Sequence, residues 1–250
     1  MENPERTEEL GMPYRQVLFG LLLTATFVSA QNPTPVPATT LCDTGLTPKS
    51  GTGTGCTTST LVTPINPFDG GPIVDGNWDL AQPYPSASYT AAAPNPCSLA
   101  TAYAAAPVNA PAGAYYNPDD HLSQWISPLG GNLTPPGWYI YRTAFQVAPA
   151  STGYLHYALI TAGQYMADNE TVAIYLEDPA GDSASCGPVA SFNTGTGAFA
   201  AWNPFKITVP VIPATHAYMY FVVYNAYTVP LDEDPTALRV EFTSPAFYPY

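Results

Sequence analysis

From Gln124 onward the apolar residues of this chain return at every second position, a period that a half-buried strand requires and a helix does not satisfy. Tyr139, Tyr141, Thr143, Phe145 and Val147 alternate with Ile140, Arg142, Ala144 and Gln146. Leu155, Tyr157 and Leu159 repeat the period, as do Val172, Ile174 and Leu176. Phe205, Ile207, Val209 and Val211 alternate with Lys206, Thr208 and Pro210, and Leu238, Val240 and Phe242 with Arg239 and Glu241. The run Ala217–Asn225 is apolar at both parities, which suits a central strand covered on both faces. Turn-forming stretches, 178–182 and 193–197, separate these runs, and no window carries capped helical periodicity. Short strands at this spacing predict an all-β antiparallel sandwich or jelly roll.

The first third reads differently. Residues 17–28 form an apolar stretch preceded by Arg15 and followed by Val28-Ser29-Ala30, a small-x-small pattern that a signal peptidase reads. The stretch is short for a bilayer span, so residues 1–30 are read as a cleaved export signal, with a membrane anchor as the competing reading. Four glutamates, Glu2, Glu5, Glu8 and Glu9, precede it, so either Met1 or Met12 serves as its start. Residues 31–66 are expected to be an extended Pro/Gly/Thr-rich tail and loop, polyproline-like over 31–41, and residues 67–250 the sandwich domain. Between Pro67 and Gln124, rich in Pro and Ala, short strands and ordered loops are expected, since Trp78, Tyr84, Tyr89 and Tyr103 can reach a core.

Charge narrows the partners. Six Lys and Arg stand against 19 Asp and Glu, a net charge of −13. Nucleic acid and anionic membrane surfaces need clustered cations to neutralise phosphate, so both are poor partners; no nucleic acid and no membrane span are expected. With 10% charged residues, 18 Tyr and 29 Pro, the surface must be built from neutral polar and aromatic groups, which suits sugar contact or lateral packing. Four cysteines in an exported chain predict two disulfides with three connectivities. The preferred one is Cys42–Cys56 with Cys97–Cys186, because 43–55 is a flexible Gly/Thr loop that closes easily. A zinc site would need a CxxC or paired His, which the sequence lacks.

Several motifs together resemble a known family. They are Ser123-Gln-Trp-Ile-Ser-Pro128, Gly137-Trp-Tyr-Ile-Tyr-Arg-Thr-Ala-Phe-Gln-Val147, and Ala167-Asp-Asn169 ahead of Val172-Ala-Ile-Tyr-Leu176. Phe221-Val-Val-Tyr-Asn225 followed by Pro235-Thr-Ala-Leu-Arg-Val-Glu241 completes the set. Over residues 70–243 the chain resembles an exported bacterial module of the galactose-binding-domain-like jelly rolls, the architecture of many carbohydrate-binding modules. The Tyr-Arg-Thr-x-Phe strand is also similar to the sugar-binding jelly roll found beside glycosidase barrels. The resemblance implies the fold and an accessory, non-catalytic role. Glu177-Asp178-Pro179 replaces the Asn-Gly turn of that pattern, and 226–234 is longer and more acidic, so ligand inferences are affected more than the fold.

Candidate sites follow from residue chemistry. Asp75-Gly-Asn-Trp-Asp79 has the D-x-N-x-D spacing that can place the oxygens of Asp75, Asn77 and Asp79 around calcium, the one cofactor candidate. Leu80 and Ser86 stand where a full loop needs Gly and Glu, so an Asx-rich turn entering a strand is the alternative. For sugar stacking, Trp202 with Asn203 leads, followed by Tyr115 and Tyr116 with Asn117, while Trp125 and Trp138 are read as core. No nucleophile elbow, zincin motif or Cys–His pair is present, and no enzyme is expected. Two functions compete: a secreted binding module holding a glycan, and a structural subunit of an extracellular filament or matrix. The second would assemble with copies of itself by adding residues 31–41 to a neighbour's sheet edge.

Overall fold

The computed structural model describes residues 36–38, 41–47, 60–61, 74–84, 93–98, 103–108, 123–128, 134–145, 157–168, 170–177, 186–191, 199–211, 217–225 and 236–249. The chain divides into two units, Met1–Asn32 and Pro33–Tyr250, and every described residue belongs to the second. The expected export signal, Cys56, and the Tyr115, Tyr116 and Asn117 cluster lie outside the described residues.

Twelve strands are described: β1 (Val36–Pro37), β2 (Leu46–Thr47), β3 (Thr60–Leu61), β4 (Val74–Tyr84), β5 (Tyr103–Pro107), β6 (Gly137–Phe145), β7 (Tyr157–Asp168), β8 (Glu170–Leu176), β9 (Gly187–Ser191), β10 (Asn203–Val211), β11 (Ala217–Asn225) and β12 (Ala237–Pro249). They build a four-stranded sheet ordered β1-β12-β7-β10 and a six-stranded sheet ordered β5-β4-β6-β11-β8-β9, with β2 and β3 as a separate pair. Every pairing is antiparallel. The molecule is an all-β sandwich, as the two-residue period predicts.

The inward parity of each strand forms one core. Trp78, Tyr139, Tyr141, Phe145, Met219 and Phe221 from the larger sheet join Leu159, Tyr165, Phe205, Ile207, Leu238 and Val240 from the smaller. Phe205 meets Phe221 edge-on at 5.9 Å between centroids, a contact between the two sheets. The opposite parity of β11 is buried as well: Tyr220, Val222 and Tyr224 pack with Trp138, Ile140, Ala173 and Tyr175 on the outer face of the larger sheet. The central, doubly covered strand expected over 217–225 is therefore present, flanked by β6 and β8. Cys97, next to a single 3-10 turn (Pro96–Ser98), is disulfide-bonded to Cys186 and packs against this second apolar layer. Cys42 is disulfide-bonded too, and its expected partner Cys56 lies outside the described residues. A disulfide is compatible with an oxidising compartment. Among the described residues, no helix is long and apolar enough to cross a membrane.

The edge of β12 is closed by pieces distant in sequence. Val36 and Pro37 pair with Phe247 and Ala246, and the Ala38 amide donates to the Pro245 carbonyl at 2.8 Å. Further along, the Thr44 amide donates to the Val240 carbonyl, and Ile126 exchanges two backbone bonds with Leu238. The tail segment expected to extend a neighbour's sheet thus lies, over Val36–Pro37, on its own.

Candidate functional site

Strand register fixes what stands on the outer face of the six-stranded sheet. One row crosses all six strands: Ala105, Asp79, Arg142, Tyr220, Tyr175 and Pro188 are successive cross-strand neighbours. Toward one end of the strands the rows turn apolar, through Ala81, Ile140, Val222 and Ala173 to Trp138 and Tyr224, and these are buried. Toward the other end Ala144 pairs with Tyr218, and the Glu177 amide donates to the Tyr218 carbonyl at 3.0 Å. Ala105 and Ala144 are exposed there, so the polar end of the face meets solvent.

Arg142 is the centre of that polar end. Its Nε donates to Asp79 Oδ2 at 3.0 Å, and its guanidinium lies 3.8 Å from the Tyr103 ring centroid and 4.5 Å from that of Tyr218. Cation–π attraction on two sides and a charge-assisted bond on the third hold the plane in place. The side chains of Arg142 and Asp79 remain 22% and 38% exposed. Among the described residues no hydrogen bond reaches the two Nη groups of Arg142 or Oδ1 of Asp79. Beside them the Tyr220 hydroxyl donates to Glu177 Oε2 at 2.7 Å, leaving Oε1 without a partner among the described residues. Burial, with the Glu177 carboxylate second, drives the Tyr220 phenol far above its ordinary value, so it stays a neutral donor. The arrangement offers fixed donors and acceptors next to tyrosine rings.

The expected sites are placed as follows. Trp202 stands just before β10, half-buried, packed against the cluster of Trp125, Met166 and Ala237. One side of its indole faces the Arg239 guanidinium at 5.1 Å. Asn203 turns its amide to the Ala201 carbonyl at 3.0 Å and the Tyr165 carbonyl at 3.5 Å. Under Trp202, the almost fully buried Arg239 donates through Nε to Ser123 Oγ at 2.6 Å. Ser123 in turn donates to Glu241 Oε1, and Gln164 donates to Glu241 Oε2, each at 2.7 Å. Trp125 and Trp138 are buried, as core residues are.

Asp75, Asn77 and Asp79 all fall within β4. Asp75 is buried, accepts the Gly45 amide on Oδ2 at 2.6 Å and the Asn77 amide on Oδ1 at 2.7 Å, while Asp79 serves Arg142. A cation at these residues would have to draw Asp75 from two amide donors and Asp79 from a guanidinium. Among the described residues no group of three or more His, Cys, Asp or Glu could hold a metal ion.

Sequence reasoning named Asp79 for a different task and missed Arg142, Tyr103, Tyr218 and Glu177 as a group. The available signal was Arg142 itself, a scarce cation set mid-strand where a neutral residue costs less. Tyr103 and Glu177 come together with it only through strand order. No protein-family model matches the chain, and no curated protein matches it.

Proposed function

We propose that the protein is a secreted, non-catalytic β-sandwich binding module, of the galactose-binding-like kind its motifs resemble, that holds carbohydrate on the outer face of its six-stranded sheet. The observation that carries this reading is the Tyr103–Arg142–Tyr218 stack with Asp79 beside it. A guanidinium edge and a carboxylate oxygen side by side supply the donor and acceptor that neighbouring sugar hydroxyls require. Their planes are fixed before a ligand arrives, which lowers the ordering cost of binding. The tyrosine rings add apolar surface for the C–H faces of a sugar. Pull-down and calorimetry against a panel of polysaccharides test it. Binding to at least one is expected, weakened about 10- to 150-fold by Asp79→Asn, the equivalent of one charge-assisted hydrogen bond. Thermal stability should change little in that variant, because exposed ion pairs contribute weakly. A panel that yields no binding removes the reading.

A further inference from the structure

We infer that the site takes an internal stretch of a neutral polysaccharide laid across the strands, spanning at least two sugar units, not a single sugar or a chain end. This deepens the carbohydrate reading above and rests on it. Four adjacent strands each contribute one accessible polar or aromatic group: Asp79 from β4, Arg142 from β6, Tyr218 from β11, and Glu177 directly after β8. Their order follows from the pairings Asp79 with Arg142, Ala144 with Tyr218, and the Glu177–Tyr218 backbone bond. Neighbouring strands lie about 4.8 Å apart, so Asp79 and Glu177 are separated by three spacings, about 14 Å. One pyranose ring cannot reach both. The polar atoms without partners among the described residues sit at both ends of this line: Asp79 Oδ1 and the Arg142 Nη groups at one, Glu177 Oε1 at the other. The row through Asp79 and Arg142 ends at exposed Ala105 on β5 and exposed Pro188 on β9, so a chain lying across the strands can continue over both edge strands.

Charge sets the chemical class. The two ends of the line are carboxylates, and the whole chain carries a net charge of −13. Glycans bearing uronate or sulfate meet like charge at short and long range, so the neutral class is favoured.

The test uses the mature chain and three neutral oligosaccharide series, gluco-, manno- and galacto-configured, of one to six units, with polygalacturonate as the acidic probe. Affinity in the bound series should rise at least tenfold from the monosaccharide to the tetrasaccharide and then level off. Glu177→Gln should lower tetrasaccharide affinity at least threefold and leave that of the shortest bound member unchanged. Asp79→Asn should weaken all lengths. Thermal melts of both variants separate loss of contact from loss of fold. A monosaccharide that binds as tightly as the hexasaccharide, or a Glu177→Gln variant with unaltered length dependence, overturns the spanning inference while leaving the binding reading intact. Polygalacturonate binding more tightly than every neutral series overturns the charge argument. Absence of binding to all of these and to the parent polysaccharides overturns the carbohydrate reading itself.

Discussion

At the residue scale, two positions carry more strain on the sequence than their neighbours. Asp75 lies under the turn at Gly45, whose φ of 76° is a left-handed conformation glycine adopts without penalty. Burial raises the Asp75 pKa from 3.8 to about 7, and hydrogen bonds from the Asn77, Gly45 and Trp78 amides oppose the rise. The folded state therefore keeps a proton that the unfolded chain releases near pH 4. This contribution to stability is complete below about pH 4 and is lost as pH rises through about 7, an amount of roughly 2–4 kcal/mol. Asp75→Asn should flatten that segment of the stability curve, read as urea midpoints from pH 4 to 8. Equal slopes in variant and parent would contradict it. Gly163 is the second position: a Cβ there would run into the Glu241 carbonyl and the Phe205 ring that crosses it. Gly163→Ala should lower unfolding free energy by about 1–3 kcal/mol, as overpacking does, measured by denaturant titration. Neither role was legible beforehand, because both depend on which strand lies alongside. Trp202 teaches the same point: an indole in a polar loop-like sequence reads as a platform, and only the fold places it half-buried with a buried arginine on one side.

At the element scale, alternation located β6, β7, β8, β10, β11 and β12 because each buries at least one parity against a fixed neighbour, and β6, β8 and β11 bury residues of both. The same signal passed over β4, eleven residues long, because its register shifts between Val74 and Asp79 and its polar residues are held by Gly45 and Arg142. A bulged strand with an irregular polar pattern has no period to detect. The two outer edges of the smaller sheet are closed by different means. β10 carries Pro204 and Pro210, which cannot donate to a further strand, and exposed Lys206 between them. β12 instead receives β1, so cysteines placed at Pro37 and Ala246, which pair directly, should cross-link within one chain. Non-reducing electrophoresis should then show a faster-running monomer. Covalent dimers and longer ladders would mean that β1 is exchanged between copies, in support of an assembling subunit.

At the scale of the whole molecule, a sheet with two apolar faces needs two coverings. The sandwich core covers one, and the segment around Cys97 packs against the other, tied down across 89 residues of sequence to Cys186. Replacing both cysteines by serine should cost about 2–4 kcal/mol and increase binding of a hydrophobic dye, since the cover would be released from the Trp138–Tyr224 region. Unchanged dye binding and stability would show that packing alone holds it. The need for such a cover was partly legible, in the unbroken apolar run 217–225 and in the preferred cysteine pairing.

The seam along β12 also dictates when the molecule can be finished. The Val240 amide bonds Thr44 Oγ1 across 196 positions, and the Phe242 amide bonds Asp43 Oδ1 across 199. A nascent chain emerging from its amino end cannot make these two bonds until nearly the whole polypeptide has appeared. Loop-closure entropy delays such pairings, so this seam can close only after the last strand has been made, and a truncated chain leaves it open.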